Sequence, residues 1–273
     1  MFNFLHTFNP NPILIELGPI KIHWYGLFIV LGILSALYII IKLADYYKIN
    51  KDDIIDISFW IIIFGILGGR AYDVLLEWPY YLGHPANIIK IWQGGLAIHG
   101  AIIAGLAATI YLTKKKSIPL LPFLAIITPG LALAQAIGRW GNYFNQELFG
   151  LPTKLPWGIP IDFIHRVPDY YYDNFFHPTF LYESLGNLMI FLILISLHYL
   201  VRKNKIKTTA EEIIIATYLI LYSILRFSLE FIKIDQTPII FSLRFPQIIS
   251  IAIVISSIIW LVLQKSKKHA TIE

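Results

Sequence analysis

Residues 24–41 read Trp24-Tyr25-Gly26-Leu27-Phe28-Ile29-Val30-Leu31-Gly32-Ile33-Leu34-Ser35-Ala36-Leu37-Tyr38-Ile39-Ile40-Ile41, without one charge. A helix rising 1.5 Å per residue needs roughly 20 apolar residues to cross a bilayer core. This run meets that need, and six others follow it. The expected spans are 23–43, 54–76, 95–113, 118–140, 181–201, 211–231 and 245–264. The third is short and carries Gly94, Gly95, Gly100 and Gly105, so a partly broken or re-entrant course is open. The fourth holds Pro119, Pro122 and Pro129. Both features are tolerable where helices pack closely or line a cavity.

Composition agrees. Of 273 residues, 57% are hydrophobic and only 14% charged, about half the charged share of a soluble domain. Aromatics reach 15%, with seven Trp, which suits interfacial belts. The chain has no Cys, which excludes disulfides, thiolate metal sites and a cysteine nucleophile of its own. The net charge of +5 comes from short basic clusters between apolar runs. That pattern signals membrane orientation and not nucleic acid. The expected fold is an all-α polytopic membrane protein with about seven transmembrane helices and a small extracytoplasmic head.

Residues 1–22 show no basic region ahead of an apolar run, so no cleaved signal peptide is expected. They read as an external or interfacial segment in which Pro10, Pro12 and Pro19 block a regular helix. Lys and Arg set the orientation. Lys42, Lys48, Lys51, Lys114, Lys115, Lys116, Arg202, Lys203, Lys205, Lys207, Lys265, Lys267 and Lys268 fall on one side, 13 in all. The other side holds six: Lys21, Lys90, Lys154, Arg166, Lys233 and Arg244. The first side is expected to be cytoplasmic. The domain reading is then an outer segment 1–22, helices over 23–142, an outer head over 143–180, helices over 181–264 and a cytoplasmic tail over 265–273.

The remaining three basic residues, Arg70, Arg139 and Arg226, lie in or at the ends of apolar runs. An arginine at mid-bilayer costs roughly 2.5–3.5 kcal/mol on insertion scales, so each needs a partner or a cavity. Tyr218, Tyr222, Arg226 and Glu230 recur every four residues. Four residues advance about 400°, so they share one helix face. Arg226 and Glu230 form either a structural ion pair or a guanidinium held ready for an anion. Arginine suits phosphate because its planar fork donates two parallel hydrogen bonds.

Gly138-Arg139-Trp140-Gly141-Asn142, followed by Glu147 and Gly150, sets Arg139 and Asn142 on one face beside small residues. This composition suits close approach of a chain or a lipid head group better than packing alone. His99, in Gly94-Gly95-Leu96-Ala97-Ile98-His99-Gly100, is either a satisfied buried imidazole or a proton acceptor near neutral pH. Arg70 has Asp73 three residues on as its simple partner. In His177-Pro178-Thr179-Phe180-Leu181-Tyr182-Glu183, Thr179 is placed to cap the fifth span, with Glu183 in its first turns. These groups gather at the outer halves of spans two to six, which predicts a site opening toward the outer leaflet.

Those same residues carry a resemblance. Trp24-Tyr25-Gly26, Gly69-Arg70, Gly94-Gly95-Leu96, Ile98-His99-Gly100, Gly138-Arg139-Trp140-Gly141-Asn142, Glu147, Gly150, His177-Pro178-Thr179, Leu181-Tyr182-Glu183 and Arg226 to Glu230 occur in order along most of the chain. In this the sequence resembles the bacterial prolipoprotein diacylglyceryl transferases, with the run from Gly138 to Gly150 as the most specific part. Two positions depart: Phe180, where Gln is frequent in the family, and Ala101, where a second Gly is frequent. The resemblance implies an enzyme of the cytoplasmic (inner) membrane, multi-pass, with its active site toward the extracytoplasmic leaflet. It implies transfer of a diacylglyceryl group from phosphatidylglycerol to the lipobox cysteine in the signal peptide of a preprolipoprotein, giving a thioether and glycerol phosphate.

Under that reading the catalytic candidates are His99, Arg139, Arg226 and Glu230. Phosphatidylglycerol would meet Tyr25, Arg139, Asn142, Glu147, Gly150 and Arg226, with Glu147 and Glu230 orienting the arginines. Gln247 and Ser250 are placed to line a groove in the last span. The expected partners are phosphatidylglycerol, the preprolipoprotein and membrane lipids, with no nucleic acid. No metal cluster or nucleotide loop is visible in the sequence, so no cofactor is expected. The rival reading is a secondary transporter for an anionic solute, for which the sequence offers no internal repeat. An intramembrane protease would need a catalytic dyad or zinc motif that is not evident, and a lipid-binding scaffold would share the same site.

Overall fold

The computed structural model describes residues 2–18, 20–203, 205–206 and 209–270. Pro19 and Lys207, used above, lie outside the described residues, as does the stretch 271–273. The elements run α1 (Phe2–Thr7), β1 (Ile13–Leu17), β2 (Ile20–His23), α2 (Trp24–Ala44), α3 (Lys51–Leu76), α4 (Trp78–Gly83), α5 (Ile98–Lys115), α6 (Leu120–Phe144), β3 (Ile159–Pro160), β4 (Phe175–Phe176), α7 (Thr179–Arg202), α8 (Ala210–Leu229), β5 (Ile239–Ile240), β6 (Leu243–Arg244) and α9 (Phe245–Ala270). Among the described residues six helices are long and apolar enough to span a membrane: α2, α3, α6, α7, α8 and α9. Large apolar side chains such as Leu34, Leu67, Met189 and Val262 stand exposed along them, which only a lipid environment satisfies. The chain is a multi-pass helical membrane protein.

The seventh long helix, α5, is unbroken over 18 residues. It is about 27 Å long, a little less than the bilayer core, and ends in Lys114 and Lys115. Its flanking glycines do not interrupt it. Gly94 and Gly95 instead form the turn before it, at φ 93° and 75°. Helix α9 continues to Ala270, into the stretch 265–273 read as the tail.

The chain divides into two compact units, Met1–Ile39 with Ala125–Glu273, and Ile40–Leu124. The second unit is built on α3 and α5. Asn50 caps α3, its side chain accepting from Asp52 N–H, and Asp52 and Asp53 occupy the positive end of the helix dipole. The two helices meet at Gly68 and Gly100, where a Cβ on either would strike the other's backbone. Small residues at this contact allow the backbone approach that drives helix association in lipid.

The prolines at and within α6 sort by position. Pro119 and Pro122 stand at its start, where a missing N–H is harmless. Pro129 is internal and frees the carbonyl of Ala125. That carbonyl accepts from Thr128 Oγ1 at 3.0 Å and is 3.1 Å from His198 Nε2 on α7. The polar group exposed by the proline therefore ties α6 to α7.

Between α6 and α7 lies a small head with the β3–β4 pair. Its apolar core is Leu5, Tyr143, Phe149, Ile159, Ile161, Phe176 and Phe180. The first residues of the outer segment 1–22 pack on it. The prolines of that segment start after α1, and Leu5 plugs the head core. Gln146 Nε2 donates to Asp162 Oδ2 at 2.8 Å and to Pro10 O at 3.1 Å, and Asn9 donates to Asp162 Oδ1. Hydrogen bonds from Asn9 and Gln146 hold the Asp162 carboxyl below its usual range.

Candidate functional site

Four segments of the first unit converge: the end of α6, the start of α7, the end of α8 and the start of α9. Successive spans run in opposite directions, so these four termini share one side of the bundle. Arg139 lies in the last turns of α6. Its Nε pairs with Glu183 Oε2 of α7 at 2.5 Å, and its Nη1 donates to Asn142 Oδ1 at 3.3 Å. Glu183 is buried, and its second oxygen receives Lys233 Nζ at 2.6 Å and Arg226 Nη1 at 3.7 Å. Arg226 Nη2 reaches Glu230 Oε1 at 2.5 Å, and Arg244 Nε meets Glu230 Oε2 at 3.1 Å. A continuous chain of charge thus runs from Asn142 through Arg139, Glu183, Arg226 and Glu230 to Arg244, with Lys233 on Glu183.

Local packing fixes this chain. Trp140 Nε1 donates to Ser184 Oγ, which donates to Ala136 O, so α7 is pinned to α6 beside Glu183. One turn along α7, Gly186 leaves no room for a Cβ against Leu225 of α8, which brings Glu183 within reach of Arg226. Phe180 stacks on Tyr143 at 4.5 Å and is spent on aromatic packing. Gly141 lies flat against the ring of Tyr25, 2.7 Å from where its Cβ would be. Arg244 also donates to the carbonyls of Glu230, Lys233 and Asp235 and to Thr237 Oγ1.

The charge balance is uneven. Four cations, Arg139, Arg226, Lys233 and Arg244, meet two carboxylates, Glu183 and Glu230. Both carboxylates are buried, whereas the side chains of Arg139 and Arg226 keep 21% and 25% of their surface exposed. Arg139 and Arg226 therefore keep part of their side-chain surface open beside the carboxylates they share. Lys233 is almost wholly enclosed, and burial pulls its ammonium below the usual lysine range while Glu183 opposes that shift.

Several sequence expectations need correction. Among the described residues Glu147 forms no ion pair with the arginines. It accepts from Asn142 Nδ2 at 2.7 Å and so turns Asn142 Oδ1 toward Arg139. Glu183 is the carboxylate that holds Arg139. Thr179 does not cap α7: the cap is Pro178, without a side-chain bond, and Thr179 Oγ1 donates to Leu148 O. Gly150 is buried against Ile232 O, His177 and Thr179, so its part is backbone packing. Its bridge to Lys233 positions that lysine. Ser250 bonds its own helix at Pro246 O.

Arg70 and His99 belong to the second unit. Arg70 donates through Nε to Ile88 O, through Nη1 to Gly94 O and Gly95 O, and through Nη2 to Asn87 O and Lys90 O. Asp73 is 3.5 Å away, a lesser contact than these carbonyls. His99 sits in the first turn of α5, exposed, its ring 6.1 Å from that of Tyr72.

Glu183, Lys233 and Arg244 were absent from the candidate set. Two had a signal. Buried arginines require counter-charges, and Glu183 is an acid inside an apolar run. Lys233 extends the Arg226–Glu230 face by one more turn. Arg244 had none, because only the loop between α8 and α9 brings it back to Glu230.

A net-cationic ion-pair network built into one end of a helical bundle defines a multi-pass membrane protein with a charged cluster at the ends of its spans. Residues 12–263 match the family model described as prolipoprotein diacylglyceryl transferase. The chain is 42% identical over 267 residues to the phosphatidylglycerol–prolipoprotein diacylglyceryl transferase of Nostoc sp., covering 96% of this chain and 93% of that protein. It is 44% identical over 240 residues to the protein of that name from Finegoldia magna, covering 88% and 90%. The chain belongs to the prolipoprotein diacylglyceryl transferase family.

Proposed function

We propose that this protein transfers the diacylglyceryl group of phosphatidylglycerol to the thiol of the lipobox cysteine of a preprolipoprotein. The observation that carries this reading is the charge imbalance: two buried carboxylates shared by four cations, with Arg139 and Arg226 still partly exposed. A lipid phosphate supplies the missing negative charge and the fork-shaped acceptors that arginine matches.

In the reaction the acceptor sulfur attacks the glyceryl carbon bonded to the phosphate oxygen. The S–C bond forms, the C–O bond breaks, and its electron pair stays on the phosphate, which leaves as glycerol phosphate. Arg139 and Arg226 stabilise the charge growing on that oxygen. Glu183 and Glu230 hold the two guanidinium groups in register, and Glu147 orients Asn142 as a further head-group contact. Tyr25, against Gly141, lines the same region. A thiol near pKa 8.5 must first lose its proton. His99, an exposed imidazole, is the candidate acceptor for it.

The setting follows from charge. The membrane we assign is the cytoplasmic (inner) membrane of a bacterium, and the richer Lys and Arg clusters on one side support an orientation with the head and the four converging termini toward the extracytoplasmic leaflet. A one-sided site of this kind speaks against transport of an anionic solute, which needs access from both faces.

The test is thioether formation in vesicles containing the protein, phosphatidylglycerol and a lipobox peptide. The intact chain is expected to give product, and Arg139→Ala almost none while remaining folded in the membrane. Unaltered activity in that variant refutes the phosphate assignment.

A further inference from the structure

Glu230 has two sides. Arg226 occupies one, and Arg244 the other. On the Arg244 side, the segment from Glu230 to Gln247 encloses an open cavity of about 720 Å³. Its lining includes Glu230, Lys233, Asp235, Gln236, Arg244 and Gln247. The charges in that set balance, two cations against two carboxylates, unlike the cationic excess of the whole cluster. The rim carries exposed Phe231 and Ile239.

Gln247 is the informative residue. It is 2% exposed, and its Oε1 accepts the backbone N–H of Arg244 at 2.9 Å. That bond fixes the amide orientation, so Nε2 is the other end, and it is buried without a partner among the described residues. A buried amide donor left unpaired is costly. Gln247 also lines the cavity, so a ligand acceptor there relieves the cost.

We propose that this cavity is the docking site of the acceptor polypeptide, taking an uncharged extended segment next to the reacting cysteine, with a backbone carbonyl accepting from Gln247 Nε2. Charge balance disfavours a second phosphate, and the apolar rim suits side chains of small peptides. The arrangement seats peptide and lipid phosphate on opposite sides of one carboxylate. The inference rests on the transferase reading above and adds where its second substrate binds.

The experiment measures KM separately for a lipobox peptide and for phosphatidylglycerol in vesicles. Gln247→Glu keeps the acceptor for the Arg244 N–H but removes the donor. Gln236→Trp narrows the mouth from an exposed position outside the ion-pair chain. Both are expected to raise the peptide KM, Gln247→Glu by roughly five- to tenfold, as for one lost hydrogen bond, with the lipid KM unchanged. A rise in the lipid KM alone, or no change in either, overturns the proposal. If Gln247→Glu fails to accumulate in the membrane, Gln236→Trp decides by the same criteria. Absence of product from the intact chain would instead refute the transferase reading itself.

Discussion

Arg70 and the pair Arg139 and Arg226 are the same residue type in the same kind of apolar helix, yet their guanidinium groups end in different states. Arg70 makes five hydrogen bonds, all to backbone carbonyls of the 87–95 turn. A guanidinium has five N–H donors, so nothing is left for a ligand. Its aromatic neighbour Tyr81 lies 5.1 Å from the charge, and Gly95 is packed so tightly on this clasp that a Cβ would strike the guanidinium. Arg139 and Arg226 are held by carboxylates through part of their donor set and keep the rest exposed. The difference teaches that a charge within a span does not by itself mark a binding site. What separates the two cases is whether backbone carbonyls close off the guanidinium or a shared carboxylate leaves it partly exposed.

That contrast can be broken by substitution. The largest expected effect is on turnover: Arg139→Ala should lower thioether formation by about 10³-fold, the scale of a lost transition-state donor, while the protein remains folded in the membrane. Arg226→Lys should fall nearly as far, because an ammonium cannot reproduce the fork. Wild-type rates in that variant would make Arg226 a tether like Arg70. Next, Glu183→Gln leaves Arg139 and Lys233 without their shared carboxylate, and the cost of breaking a buried pair is about 3 kcal/mol. Both the melting temperature and activity should drop.

Arg70→Lys should reverse the pattern seen at Arg139. Losing several charge-assisted bonds to carbonyls should cost about 2 kcal/mol of stability, read as a lower melting midpoint, while the KM for phosphatidylglycerol stays fixed. A raised lipid KM without destabilisation would sink the comparison.

The smallest effect concerns pH. His177 Nδ1 is 3.1 Å from Tyr182 Oη, which also accepts from Trp157 Nε1 at 2.8 Å. Burial lowers the imidazole pKa from its usual 6.5. The folded chain therefore binds fewer protons here than the unfolded chain, and acid favours unfolding. Full stability is expected above about pH 6.5, with a gradual loss below it. His177→Asn, which keeps a polar partner for Tyr182 but does not titrate, should flatten that part of the melting profile.

The sequence by itself determined the helical spans, because about 20 apolar residues can satisfy their backbone in lipid only as a helix. It also determined which residues were anomalous there, and the four-residue spacing that joins Arg226 to Glu230. Tertiary structure decided what each anomaly meets. Glu183 meets Arg139 across two helices, Arg244 returns to Glu230 through a loop, and the carbonyls of a distant turn saturate Arg70. None of these pairings has a local period, since each depends on where chain segments remote in sequence come to rest.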